Sequence, residues 1–285
     1  MVVVIKQNTA HIIRMFFKKL RKYVGKMKKD GSAEAIHLFR VEIKKLRAFL
    51  RLLSLELKKE DELKLTSKIK KMYKYAGKVR DRQLRYKRMK AAIKNNKQQF
   101  PEIKMVWNDV AEKRGKRENK LLSDEDFLAA ELKLRKKLPN EIGAAAVKTF
   151  FRLKLDNILS IANKGSYSNE ELHTIRKGLK DIIYIIKLYH SEMKIKLPFT
   201  FWNKRQEKAA EQLAQALGIY NDLYVDLSFL KRAMKKNDHT KKKEMQSLRN
   251  IWLAEKRKLK KEIVNSIAMP DLFKIKKSGL EKDDN

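Results

Sequence analysis

The chain contains no cysteine, which excludes disulfide scaffolds, thiolate zinc sites and cysteine nucleophiles together. Turn-forming residues are scarce. Four prolines and nine glycines in 285 residues are too few for an all-β fold, whose many turns draw on both. Long apolar runs are missing as well: the longest stretch free of Lys, Arg, Asp and Glu extends only from Gln212 to Asn221, well short of the roughly 20 residues of a membrane-spanning helix. The opening Met1-Val2-Val3-Val4-Ile5 is shorter than a secretory signal core, and no basic segment precedes it. These absences give the expectation of a soluble, cytoplasmic protein without membrane contact. The last shortage is negative charge. Against 70 Lys and Arg stand 34 Asp and Glu, a net charge of +36. A surplus of that size strains a compact chain by self-repulsion and points to a polyanionic partner. Apolar residues, at 43%, are ordinary for a folded protein, so disorder is excluded.

What is present recurs at helical spacing, and no segment shows convincing period-two alternation. Asn8-Thr9 caps a first predicted helix carrying Ile12, Ile13, Phe16, Phe17, Leu20 and Val24. Ser32 caps a second, running to about Lys58. A third spans roughly Asp61 to Asn95, and a fourth, interrupted near Ser123, follows Pro101. Beyond Pro139 the pattern predicts helices over Glu141 to Asn163, from Ser168 to Met193, from Phe201 to Lys236 and from Thr240 to Ser266. The expected fold class is therefore all-α. Eight helices in two sets of four suggest paired four-helix bundles, with halves at 1–139 and 140–270 and a frayed tail over 271–285.

The halves share an internal repeat. In the first, His37 is followed by Arg40, Lys44, Arg47 and Arg51; in the second, His173 is followed by Arg176, Lys180 and Lys187. Each histidine thus has Arg at +3, Lys at +7 and a base at +14, while Ile183 stands where the first half has Arg47. Downstream, Gly77-Lys78-Val79-Arg80-Asp81 matches Gly218-Ile219-Tyr220-Asn221-Asp222. At 100° per residue, His37 and its four bases fall within an arc of about 80°. Apolar sectors flank that arc on both sides, where a solvated face is not expected. Long Lys and Arg stems can lie along such apolar neighbours while their heads gather in a groove. A row of bases repels itself without a ligand, and a bound polyanion reverses the sign. One row per half, facing across an approximate two-fold axis, makes a basic central groove for a long, regular anion.

These motifs resemble those of the CHAD family, the conserved histidine α-helical domain. The resemblance rests on His37-Arg40-Lys44-Arg47 with Gly77-Arg80-Asp81, and on His173-Arg176-Lys180 with Gly218-Asn221-Asp222. It implies two four-helix bundles, a basic central groove, inorganic polyphosphate as ligand and, in some members, association with polyphosphate granules. The chain leaves no room for the barrel of the triphosphate-tunnel domain often fused to such modules.

The histidines read as anion-binding donors that gain charge beside phosphate. A metal site is disfavoured because no carboxylate or second histidine stands at +3 or +4, and a phosphohistidine because no catalytic carboxylate pairs with either. Asp81 and Asp222 read as structural ion-pair partners, and Gly77 and Gly218 as points of close helix approach. Arg80 and Asn221 are secondary anion-binding candidates. Arg14 and Lys18, with His11 and Arg21, copy the main offsets on the first helix, and Lys148 and Arg152 are the counterpart on the fifth. Both groups read either as groove lining or as solvated face. His190 and His239 receive no role. Phe16, Phe17, Phe39, Tyr184 and Tyr189 stand at core spacing, which weakens a nucleic-acid reading based on base stacking. The sequence thus points to a polyphosphate-binding module with no catalytic residues, cofactor or metal. The alternative is a non-specific nucleic-acid-binding protein drawn by the same charge.

Overall fold

The computed structural model describes residues 2–96, 121–194, 197, 201–235 and 239–268. Eight α-helices occur among them: α1 Lys6–Asp30, α2 Ala33–Leu53, α3 Ser67–Asn96, α4 Asp124–Lys136, α5 Ala144–Ala162, α6 Asn169–Lys187, α7 Lys204–Met234 and α8 His239–Ile267. The expected all-α class holds, with one addition. Two short strands, β1 Val2–Ile5 and β2 Glu141–Gly143, pair antiparallel with Val4 opposite Ile142 and Ile5 opposite Glu141. The run Val2-Val3-Val4-Ile5 is β-branched throughout and favours a strand. It is too short to betray itself by alternation, so the first helix begins at Lys6 with Ile5 as its N-cap, ahead of the expected Asn8-Thr9 cap.

The sequence signals that set helix ends are mostly local and mostly held. Ser32 Oγ accepts the Ala35 amide at the start of α2. Ser123, Ser168 and Asn203 each close a capping box with the residue three positions on, opening α4, α6 and α7. Gly31, at φ 61°, ends α1 in the left-handed conformation that glycine adopts without a Cβ penalty. One end moved: α2 stops at Leu53, not at Lys58. There the Ser54 hydroxyl donates to Leu50 O and accepts the Leu63 amide, turning the chain into two short 3-10 turns. The sixth helix also divides, with a π-helical turn over Leu188–Met193 closing on Lys194 at φ 54°. The fourth expected helix lies partly, and the 271–285 tail wholly, outside the described residues.

In sequence order, α1 packs on α2 and α4, and α2 on α3; α5 packs on α6, α6 on α7, and α7 on α8. The apolar face expected of α1 is buried, with Ile13, Phe17 and Leu20 at 0% exposure. The main core is continuous across residue 139. It joins Phe39, Ile43 and Leu46 of α2 to Ile175, Leu179 and Ile182 of α6. A smaller cluster sets Met89 and Ala92 of α3 against Leu223 and Leu227 of α7 and Trp252 of α8. The contact that positions the site is α2 against α6, since each of these helices carries one of the two basic rows.

Candidate functional site

A groove of about 790 Å³ runs between these helices. Arg40, Lys44, Arg47 and Arg51 line it from α2; His173, Arg176 and Lys180 line it from α6. The two rows therefore share one concavity. The close approach is electrostatically visible at Lys44, which burial and then the charges of Arg176 and Arg40 push down to about 8, with Lys180 acting in the same sense. Lys180 is lowered too, by burial and then by Arg176. Four of the six helical-row cations just named thus crowd one another at the centre of the groove, as the sequence pattern predicts.

Two arginines of the rows are seated by the glycine signatures. The Arg40 guanidinium lies against the backbone of Gly77, donates to Tyr73 O at 3.1 Å and stacks 4.7 Å from the Tyr73 ring centroid. A Cβ at Gly77 would collide with Arg40 Nη1. In the second half Arg176 lies over Gly218, where a Cβ would come 3.2 Å from its Nε. The expected close approach at these glycines is therefore arginine against helix backbone. It explains why the arginine and the glycine recur together in both copies: a mid-helix glycine costs about 1 kcal/mol, and here the space it leaves holds a cation of the groove. Arg176 Nε and Arg51 Nε are buried without a hydrogen-bond partner, donors that an anion in the groove can satisfy.

Several expected residues lie elsewhere. His37 is half-buried in the second turn of α2 and does not line the groove; burial, and then the charge of Arg80, lower its pKa. Arg80 is likewise off the lining. Lys187, on the last turn of α6, lies beyond the groove and pairs with Glu211 of α7 at 2.5 Å. Arg14 and Lys18 are exposed on the solvent side of α1, because that helix turns Ile13, Phe16 and Phe17 inward. On α5 the groove face carries Phe150, Leu153, Lys154 and Asn157, so Lys148 and Arg152 fall outside the lining. Asn221 does line it, and its hydrogen bond to His173 partly offsets the burial and the Lys177 and Arg176 charges that lower that imidazole. Both histidines therefore favour the neutral form in the free protein, so the expected gain of charge needs an anion close by.

Other lining residues escaped the sequence reading: Tyr73, Lys154, Asn157, Thr174, Lys177 and Asp181, with Tyr184 on the wall instead of wholly in the core. Asp81 and Asp222 also face the groove. Asp81 is raised chiefly by burial, with Arg40 opposing and the nearby Asp222 adding to the rise. The wall in total carries eight Lys and Arg side chains against three Asp, so its field remains strongly positive. Among the described residues no group of three or more His, Asp or Glu is placed to hold a metal ion, and no helix is long and apolar enough to cross a membrane.

A family model described as the CHAD domain matches residues 11–231. The chain belongs to the CHAD family. Its fold is similar to the crystal structure of the CHAD domain from the plant Ricinus communis, with a TM-score of 0.69 over 95% of this chain and 94% of that one at 17% identity. No curated protein sequence matches it. The matched span takes in both basic rows and both glycine signatures of this CHAD domain, and ends within α7.

Away from the groove, the two halves are pinned by a buried ion cluster. Asp226 of α7, 2% exposed, accepts from Arg85 Nε at 2.9 Å and from Arg88, both on α3. Arg85, 6% exposed, also stacks 3.9 Å from the Phe229 ring centroid. Arg85 stands eight residues after Gly77 and Asp226 eight after Gly218. Equivalent positions of the repeat thus meet, with opposite charge.

Proposed function

We propose that this CHAD domain binds inorganic polyphosphate, or a closely related phosphate-rich polyanion, by electrostatic capture and without turnover. The observation that carries the reading is the convergence of Arg40, Lys44, Arg47 and Arg51 with Arg176 and Lys180 on one groove. Arginine grips phosphate oxygens through a planar fork and lysine as a point charge. A flexible linear anion can run along such a trough and offset the repulsion that the free protein carries at Lys44. On this reading residues 1–139 and 140–270 are two four-helix halves, each giving one row, and the protein meets its ligand in the cytoplasm.

Titration of long-chain polyphosphate at several salt concentrations tests it. If about six phosphates are neutralised, log K should fall with log salt at a slope of about −4, taking ~0.7 per phosphate as for single strands. Changing Arg40 and Arg176 together to Ala is expected to weaken binding by more than about tenfold while the far-ultraviolet circular dichroism keeps its helical form. Unchanged affinity in that variant removes these residues from the site. Duplex DNA displacing polyphosphate at equal phosphate concentration transfers the groove to nucleic acid instead. Phosphate release in the presence of magnesium exposes turnover.

Gly77→Ala separates stability from binding. Alanine gains about 1 kcal/mol of helix propensity, and Arg40, whose guanidinium is the flexible end of its side chain, gives way to the new methyl. The thermal midpoint is expected to hold or rise while polyphosphate affinity falls severalfold. A lower midpoint with intact affinity contradicts the seating of Arg40 on that glycine.

A further inference from the structure

We propose that Asp181 is a specificity-determining residue of the groove: a resident carboxylate that occupies one end of the basic row and yields it only to long phosphate chains. The inference rests on the polyphosphate reading and deepens it. Asp181, on α6, is 8% exposed and forms part of the groove wall. Its Oδ1 accepts from Arg51 Nη2 at 2.5 Å, and its Oδ2 meets Lys154 Nζ at 3.1 Å. Both partners line the same groove, from α2 and α5. Among the described residues, Arg51 is the one base of the α2 row held in an ion pair with a carboxylate; Arg40, Lys44 and Arg47 have none. One end of the row is thus internally neutralised and the rest is not.

A carboxylate forked between two cations takes the seat that a phosphate's oxygens would take. The two anions exclude each other there. For phosphate to reach Arg51 and Lys154, Asp181 must surrender both partners while still mostly buried, which is costly. A short oligophosphate finds its cations at Arg40, Lys44, Arg176 and Lys180 and has nothing further to offset that loss. A long chain, held along the whole groove, presents the next phosphate at high effective concentration and displaces the carboxylate. Discrimination by length follows from one aspartate.

The competing role for Asp181 is to orient Arg51 and Lys154 toward the ligand, and it predicts the opposite sign. Calorimetric titration of the full chain with tripolyphosphate and with long-chain polyphosphate distinguishes them. Asp181→Asn is expected to tighten tripolyphosphate by about tenfold or more and long chains by less. It should also steepen the salt slope of tripolyphosphate binding by about 1.4, two further cations at ~0.7 each. Tripolyphosphate binding that is unchanged or weaker overturns the proposal. Lys154→Gln provides a second arm. It is expected to change tripolyphosphate affinity less than about threefold alone, because its charge is already spent on Asp181, and distinctly more in the Asp181→Asn background. Equal losses in both backgrounds overturn the proposal too. If Asp181→Asn loses helicity, this arm is read from Asp181→Ser. A wild-type chain that binds long-chain polyphosphate with no such differences sinks this inference alone, whereas one that binds none sinks the functional reading beneath it.

Discussion

Asp226→Ala is expected to destabilise the protein by about 3–5 kcal/mol, the usual cost of stranding a buried charge by removing its partner. In the native chain Asp226 receives Arg85 and Arg88 together, and both it and Arg85 are nearly inaccessible to solvent. Without the carboxylate, Arg85, 6% exposed, remains wedged against Phe229 and loses its hydrogen-bonded counter-ion. A loss of this size should lower the thermal midpoint by roughly 10 °C in a chain of this length. The companion measurement is the double substitution Arg85→Met with Asp226→Leu. Replacing the two most buried members of the cluster with apolar groups of similar volume is often neutral or better, and the more exposed Arg88 can turn toward solvent, so the double variant should recover most of the stability. A single variant that melts like wild type would show that the cluster is open to solvent.

The second large effect has the opposite sign. Lys44→Met should stabilise the free protein by roughly 2–3 kcal/mol at neutral pH, the scale set by holding an ammonium group at a pKa of about 8. Methionine keeps the apolar stem and removes the charge that Arg176, Arg40 and Lys180 oppose. The sign with pH follows from proton counting. Lys44 is lowered in the folded state relative to its ordinary value of 10.5. Between about 8 and 10.5 the unfolded chain therefore holds more protons at this site, and Lys44's unfavourable contribution fades as pH rises. The stability gap between Lys44→Met and wild type should be full below pH 8 and shrink toward zero above 10. Binding runs the other way. A polyanion restores the ammonium form, so polyphosphate binding near pH 9 should take up a proton at Lys44, measurable by calorimetry in buffers of different ionisation enthalpy. Affinity should fall by up to tenfold per pH unit above 8. In Lys44→Met both the proton uptake and this pH dependence should diminish, along with affinity itself. A gap that grows with pH would contradict the assignment.

How much of this was legible in the sequence depends on whether a residue acts along its own helix or across to another. The row Arg40-Lys44-Arg47-Arg51 is a property of one helix and follows from residue spacing alone. The caps at Ser32 and Ser168 are equally local. The end of α2 at Leu53 is not, since it is set by the Ser54 hydroxyl meeting the amide of Leu63, a bond that no periodicity announces. Lys187 fits the angular pattern of its row but sits a turn too far along α6, where Glu211 is the nearer partner. Angular position alone could not place it along the groove. Lys154 and Asn157 belong to a helix whose repeat signal is weak, and the choice between its faces was made by packing. Asp181 carries no repeat or motif signal of its own, and its partner Arg51 comes from the other half of the chain. His37 and His173 share a motif but not a location, because what each imidazole meets is decided by Arg80 in one case and Asn221 in the other.

The pairing of β1 with β2 also sets a timetable for synthesis. Ribosomes add about 5–20 residues per second, so Val2–Ile5 is made roughly 7–28 s before its partner Glu141–Gly143 leaves the peptidyl-transferase centre. Throughout that interval a β-branched segment with open hydrogen-bonding groups trails from the nascent chain, a ready template for pairing with a neighbouring polypeptide. The demand that this one strand places on chaperones should therefore end only when residue 143 clears the exit tunnel.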